Sequence, residues 1–429
     1  MDQDDEAYNR LLRKVTLRLL PFMFVLYIIS YLDRINISFA GAPMSADLHF
    51  NEEIFGFGAG IFFFGYCLFG IPSNLALQKI GARKWISFIM VVWGFVSVFM
   101  AFVPNTLSFF GMRFLLGAAE SGFFPGMIFY LTKWFRKREH GMAVAKFMSA
   151  IPAAGILGGL IAAKILAMPP LMGLPPWKWL FIITGCPAIL LGLVVLFYLP
   201  DGPHDAKWLS AEEKTLLESR LSSDSSSRSK TPGRAELLAT LLDVKVWLLA
   251  LLYFSLTLGM YGFQLWLPQI INATSHGGDA QTAFLSAIPA VFQALGMVLI
   301  ARNSDKTGER RWHLATSALL AVAGLVLAST VQNPVVSLAA LCLTALGIWG
   351  TVGPFWALPT AFLSGASAAA AIALINSVGN LGGFAGPYIV GAIKHHSPNF
   401  AASLLFMAGS LLFGAILAVS MPRAKTEAE

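Results

Sequence analysis

The chain carries the segment Lys79-Ile80-Gly81-Ala82-Arg83-Lys84-Trp85 and a related segment, Lys306-Thr307-Gly308-Glu309-Arg310-Arg311-Trp312, at a constant offset later in the sequence. Both copies align a lysine, a glycine, basic side chains and a tryptophan, and both follow a long apolar run. A repeat of this kind at equivalent points of two apolar arrays indicates internal duplication. The sequence therefore predicts a chain of two related halves.

The amino-acid composition indicates whether these halves lie in water or in a membrane. The chain has 429 residues, of which 56% are hydrophobic and 12% are charged, and its mean hydropathy is +0.68. Soluble domains carry about 25% charged residues, so this chain is predicted to lie in a lipid bilayer. The net charge of +7 could suit nucleic acid. The basic residues are confined to short loops between apolar runs, however, so we expect no nucleic-acid partner.

The apolar runs are long enough to cross a membrane, because a spanning helix needs about 20 apolar residues. The predicted spans are 16–42, 53–78, 83–103, 107–134, 141–166, 178–199, 245–271, 281–302, 312–331, 335–362, 368–394 and 400–421. The predicted fold class is an all-α membrane protein with twelve transmembrane helices in two six-helix halves. The N-terminal half is residues 1–199 and the C-terminal half is residues 244–429. Residues 200–243 form a polar central loop, in which Ser210 and Glu213 predict a capping box and a short helix.

The loop charges predict the orientation. Alternate loops hold most of the bases: Arg10, Arg13 and Lys14; Lys79, Arg83 and Lys84; Lys133, Arg136, Lys137 and Arg138; and Arg302, Lys306, Arg310 and Arg311. Basic loops stay in the cytoplasm, so both termini are predicted to be cytoplasmic. We expect a monomeric, multi-pass protein of the bacterial cytoplasmic membrane.

Enzyme chemistry is not expected. The sequence has no P-loop, no zinc-ligand spacing and no nucleophile triad, so neither a cofactor nor a metal site is predicted. The three cysteines, Cys67, Cys186 and Cys342, lie far apart inside apolar runs and do not predict a disulfide framework.

Four charged residues lie inside predicted spans: Asp33 and Arg34 in the first, and Arg113 and Glu120 in the fourth. A charge near the bilayer centre costs roughly 2.5–3.5 kcal/mol on insertion scales, and such residues are functional by default. Arginine offers a planar fork that fits a carboxylate, and a carboxyl group can carry a proton. Arg34 and Arg113 are therefore the candidate anion anchors, and Asp33 and Glu120 are the candidate proton carriers. Arg113 and Glu120, seven residues apart, share one helix face, whereas Asp33 and Arg34 are adjacent and diverge by about 100° on theirs. The alternative is that the Asp33/Arg34 pair and the Arg113/Glu120 pair are structural and only hold helices together.

At this point the chain resembles the major facilitator superfamily, whose best-known signature is the basic loop after spans two and eight. The second copy keeps the acid of that signature as Asp305, whereas the first copy has Gln78 in its place and Asn74 for its first glycine. Further runs resemble the anion:cation symporter family of that superfamily. They are Tyr31–Ile37, Gly65-Tyr66, Ile71–Asn74, Arg113–Glu120, Pro354–Pro359 and Ile375–Phe384.

The resemblance implies the major facilitator fold, in which the first and fourth helices line one central cavity. It implies that all four charges surround this space. Asp33 and Glu120 match the protonation sites of the family, Arg34 matches its carboxylate anchor, and Arg113 matches an arginine that partners the acids.

Six polar or aromatic residues are further candidates for substrate contact. They are Tyr31, Tyr66, Gln264, Trp356, Asn376 and Asn380. Tyr66 matches a substrate-contact position of the family. Tyrosines also pack or lie at interfaces, and an asparagine in a span can equally hydrogen-bond a neighbouring helix, so a structural role stays open for each.

These observations predict a proton-coupled symporter that takes up a small organic anion by alternating access. The anion would be a hydroxy-dicarboxylate such as tartrate, a sugar acid or an aromatic carboxylate. Two alternatives stay open: a proton-antiport exporter of organic acids or drugs, and a membrane receptor that does not transport.

Overall fold

A computed structural model describes residues 3–225, 242–362 and 368–421. These residues form α-helices, one short 3₁₀ turn at Pro203–Asp205 and no β-strand. The helices are α1 (Gln3–Leu48), α2 (Glu52–Ile80), α3 (Ala82–Met100), α4 (Thr106–Glu120), α5 (Phe123–Thr132), α6 (Lys137–Met148), α7 (Ala150–Leu166), α8 (Pro176–Tyr198), α9 (Ala211–Ser225), α10 (Val244–Ser275), α11 (Asp279–Thr307), α12 (Arg311–Thr330), α13 (Pro334–Gly350), α14 (Val352–Phe362), α15 (Ala368–His395) and α16 (Ala401–Ser420).

The predicted fold class is confirmed. Eleven helical stretches in the described part of the chain are long and apolar enough to cross a membrane. The 28-residue helix α15, which packs between α2 and α10, completes the twelve predicted spans. Three of these spans consist of two helices each: α4 and α5, α6 and α7, and α13 and α14. The breaks in spans four and ten fall at corresponding places in the two halves.

Glycines let α2 and α4 approach to backbone contact. A Cβ on Gly65 would overlap the carbonyl oxygen of Phe114, and a Cβ on Gly117 would overlap the carbonyl oxygen of Phe62. Small residues allow this kind of close approach in membrane bundles. The contact fixes the rotation of α4 and therefore the direction in which its charged side chains point.

The two halves meet through α2 with α15 and through α7 with α11. A Cβ on Gly56 would lie 2.5 Å from the carbonyl oxygen of Pro387, and one on Gly159 would lie 2.9 Å from the Cβ of Ala287. Glu52, the first residue of α2, lies 3.6 Å from Lys394 at the far end of α15. These contacts lie at the end of the bundle opposite the basic loops.

The first basic loop obtains its acidic partner from elsewhere in the chain. The sequence has Gln78 where the signature has an acid, but Asp201 lies beside the loop and accepts a hydrogen bond from the Arg83 backbone N–H at 3.1 Å. The Nε of Arg83 is 3.2 Å from the same carboxylate. In the second loop Arg310 pairs with its local acid, Asp305, at 2.5 Å. The two loops are therefore electrostatically alike although only one keeps the signature acid.

The predicted capping box is present at the start of α9. The Ser210 Oγ accepts a hydrogen bond from the Glu213 backbone N–H at 3.2 Å, and the Glu213 carboxylate accepts one from the Ser210 N–H at 2.9 Å. Lys14 lies 2.7 Å from Glu213, and its hydrogen bond lowers the pKa of that carboxyl group. This ion pair holds the central-loop helix against α1.

We expect Gly117→Ala to lower the stability of the protein by about 1–3 kcal/mol, because the new methyl group must push α4 away from α2. Gly111→Ala is the matched control on the same helix, since no heavy atom lies within 4 Å of its added Cβ. The apparent melting temperature in detergent should fall for the first variant only. Equal melting temperatures would contradict the backbone contact.

Candidate functional site

The centre of the site is an ion pair between α1 and α4. The Nη2 of Arg34 lies 3.2 Å from the Oε2 of Glu120, and the two side chains are 11% and 0% exposed. The Oε1 of Glu120 has no hydrogen-bond partner among the described residues. Charged groups removed from water need a partner of opposite charge. Here Arg34 and Glu120 stabilise each other in the way that water would stabilise each of them outside the membrane.

Aromatic rings surround the Arg34 guanidinium. Its central carbon lies 5.9 Å from the Tyr31 ring, 5.3 Å from the Phe62 ring and 5.2 Å from the Tyr66 ring. A cation within about 6 Å of a ring is attracted by the ring quadrupole. Two predicted site residues, Tyr31 and Tyr66, therefore flank the predicted anion anchor.

Asp33 points away from this ion pair. It follows Tyr31 and Leu32 on α1 but is rotated by about 100° from Arg34, so it faces α3 and α8. Its Oδ1 accepts a hydrogen bond from the Ser97 Oγ at 2.8 Å, and its side chain is completely buried. One turn further, Asn36 donates to the Thr184 Oγ1 at 3.0 Å. Asp33 is thus part of a small polar cluster inside the N-terminal half.

Arg113 is bound to the backbone of α2. Its Nε and Nη2 donate to the carbonyl oxygens of Gly58 and Ala59 at 3.3 Å and 3.1 Å. Its guanidinium lies 5.1 Å from the Phe62 ring, which also lies 5.3 Å from the Arg34 guanidinium. These backbone carbonyls are in reach because α2 and α4 are packed so closely.

The buried ion pair therefore joins two different helices. Glu120 pairs with Arg34, whereas Asp33 binds Ser97 and Arg113 binds backbone carbonyls. The physical reason is that adjacent residues on a helix diverge, so Asp33 and Arg34 cannot both face α4. That all four charges surround one space stays a prediction.

Tyr31 and Gln264 join the two halves near this centre. The hydroxyl of Tyr31 donates to the Oε1 of Gln264 at 3.0 Å, and the Tyr31 ring lies 6.5 Å from the Trp349 ring in an edge arrangement. Two sequence-predicted residues, one from each half, are thus in direct contact.

The other three candidates make contacts within the C-terminal half. Trp356 lies edge-on to Tyr253, with ring centroids 5.0 Å apart. Asn380 donates to the backbone oxygen of Asn376 at 2.8 Å and to its Oδ1 at 3.1 Å. Both asparagines lie on α15 and bond each other, so these contacts leave their role toward a substrate open.

Sequence reasoning missed Phe62, Ser97 and Gln293. Phe62 carries no polar atom, and its place between two arginines depends on helix packing. Ser97 is a lone serine in an apolar run. Gln293 had a visible signal, since it is a polar amide inside span eight, and it lines a cavity between the halves.

The sequence profile of the Major Facilitator Superfamily matches residues 23–387. A protein of Agrobacterium vitis described as a "Putative tartrate transporter" is 47% identical over 424 residues, which is 99% of this chain and 97% of that protein. A quinolone resistance transporter of Acinetobacter baumannii is 43% identical, covering 95% of this chain and 93% of that protein.

Solved structures show the same fold at low sequence identity. The xylose transporter XylE of E. coli, in an inward open conformation, aligns with a TM-score of 0.77 at 16% identity, over 96% of this chain and 98% of that chain. The family and its relatives are transporters and not enzymes. The sequence profile, the full-length relatives and the twelve-span fold agree, and the chain belongs to the major facilitator superfamily.

Proposed function

We propose that the protein is a proton-coupled symporter that takes up a small organic anion by alternating access. The observation that carries this proposal is the buried Arg34–Glu120 ion pair in its aromatic surround. It combines a fork-shaped anion binder with a carboxyl group that can accept a proton.

Coupling follows from competition for Arg34. While Glu120 is ionised, it occupies the guanidinium. A proton on Glu120 removes this competitor, so Arg34 can bind the substrate carboxylate bidentately. Because the effect is reciprocal, bound anion also favours the proton. Proton and anion then cross together, which is symport.

Asp33 is proposed as a second proton carrier. Its buried carboxyl group accepts a hydrogen bond from the Ser97 hydroxyl through Oδ1, and its Oδ2 makes no hydrogen bond among the described residues. A carboxyl oxygen without a donor is an atom that can carry a transported proton. Arg113 is proposed to act indirectly, through its hold on α2 beside Phe62.

The relatives guide the substrate class. The 47% identical relative carries tartrate in its name, which supports a hydroxy-dicarboxylate over a sugar acid or an aromatic carboxylate. Trp356, Asn376 and Asn380 are proposed as substrate contacts from the C-terminal half. The 43% identical relative is named for quinolone resistance and supports a second candidate, a proton-antiport exporter.

The arrangement of the two halves indicates to which side of the membrane the site opens. If the basic loops are cytoplasmic, the contacts of α2 with α15 and of α7 with α11 close the external side. The site would then open toward the cytoplasm, and the halves, residues 1–199 and 244–429, would rock about it. We place the protein in the bacterial cytoplasmic membrane as a monomer.

Glu120→Gln should abolish accumulation driven by an inward proton gradient but retain exchange of internal for external anion, because a neutral amide mimics the protonated acid. Asp33→Asn should likewise lose accumulation and retain exchange. Uptake by proteoliposomes, with and without a proton gradient, measures both. Accumulation equal to that of the parent in both variants would contradict the proton assignment. Substrate movement opposite to the proton gradient would favour the exporter.

Arg34→Lys should weaken anion binding about tenfold or more, since lysine keeps the charge but loses the bidentate fork, a difference of roughly 1.5–3 kcal/mol. Arg18→Lys is the matched control, because Arg18 is an exposed residue of the same helix that lies over Tyr198. Anion-induced thermal stabilisation reports the affinity. An unchanged affinity for Arg34→Lys would remove it as the carboxylate anchor.

Reporter fusions test the orientation. A fluorescent protein fused after the last residue should fluoresce, because it stays in the cytoplasm. Alkaline phosphatase fused after Gly173, in the turn between α7 and α8, should be active, because it reaches the periplasm. The reverse pattern would invert the proposed topology.

A further inference from the structure

A small cavity lies between the halves beside the Tyr31–Gln264 hydrogen bond. It is bounded by α1, α7, α10, α11 and α13. Its polar lining consists of Ser38, Gln264, Ser286, Gln293 and the indole of Trp349. The remaining lining residues are apolar, and no charged side chain lines it.

Gln293 is the unexplained group of this cavity. Its side chain is only 5% exposed, and its Nε2 has no hydrogen-bond partner among the described residues. A buried amide without a partner costs about 1–3 kcal/mol, so it is retained at the expense of stability. The Gln293 Oε1 faces α7, where a Cβ on Gly155 would lie 3.6 Å from it, at van der Waals distance.

The lining selects a ligand chemistry. Amides and hydroxyls donate and accept hydrogen bonds, as hydroxyl groups require, but they offer no cation to a carboxylate. The proposed carboxylate anchor, Arg34, lies near the cavity. Tyr31 contacts both: its hydroxyl donates to Gln264 in the cavity lining, and its ring lies 5.9 Å from the Arg34 guanidinium. Tyr31 thus links the surroundings of Arg34 to a residue that lines the cavity.

We propose that this cavity binds the hydroxyl-bearing carbons of the anion whose carboxylate Arg34 holds, and that Gln293 is its specificity-determining residue. The inference rests on the proposed function and deepens it. It assigns the substrate to short-chain hydroxy acids, because the Gln293 amide is left unpaired by an acid without hydroxyl groups. The apolar residues of the cavity wall then contact the C–H groups of the bound hydroxy acid.

Three four-carbon dicarboxylates test the inference, because they differ only in hydroxyl number: succinate has none, malate one and tartrate two. Affinities are measured by thermal stabilisation of the purified full-length protein. The parent should bind tartrate most tightly and succinate least. Gln293→Leu keeps the size but removes the amide, and should weaken tartrate binding about tenfold while changing succinate binding less than twofold. Ser286→Ala, a milder change in the same lining, should weaken tartrate binding severalfold.

Gln281→Leu is the matched control, because Gln281 is exposed near the start of the same helix. It should leave all three affinities unchanged. Equal loss for tartrate and succinate in Gln293→Leu, or no loss in either cavity variant, would overturn the specificity role while leaving anion transport intact. A parent that binds other organic anions but none of these acids would also overturn it. A parent that binds no organic anion would overturn the proposed function itself.

Discussion

The structure depends on keeping one cation and one anion together out of water. Arg34 and Glu120 come from different helices, and neither is tolerable alone at this depth. Their meeting requires α1, α2 and α4 to lie in one fixed rotation. The glycines of α2 and α4 supply this rotation, because they allow backbone contact where side chains would hold the helices apart.

The same packing explains why the two arginines have different environments. Arg113 donates to two carbonyl oxygens of α2, while its Nη1 has no hydrogen-bond partner among the described residues. Arg34 depends on a carboxylate that can become neutral. The Phe62 ring lies 5.3 Å from the Arg34 guanidinium and 5.1 Å from the Arg113 guanidinium. Of the two arginines, Arg34 is the one that forms an ion pair with a carboxylate.

Much of this was predictable from the sequence. The lengths of the apolar runs predicted twelve spans, and the duplicated basic loop predicted two halves. Charged residues inside predicted spans pointed to Asp33, Arg34, Arg113 and Glu120 as candidate site residues. The contacts of these four side chains were not predictable, because spacing fixes a direction only relative to the residue's own helix. How far each helix is turned depends on contacts such as Gly117 with Phe62. Gln293 was missed for the same reason: a polar amide in a span does not reveal which neighbour it faces. Asp201 was missed because its loop partner lies far away in sequence.

Asp201 also makes the two halves unequal in a way that the duplicated loops conceal. The Arg83 loop takes its acid from the segment that follows the sixth span, where Tyr130 and Lys133 further fasten the chain. The Arg310 loop carries its own. The six spans of the amino-terminal half are thus complete only with the first residues of the central loop, residues 200–243. Anyone splitting the gene into two co-expressed fragments would have to place the break beyond residue 201.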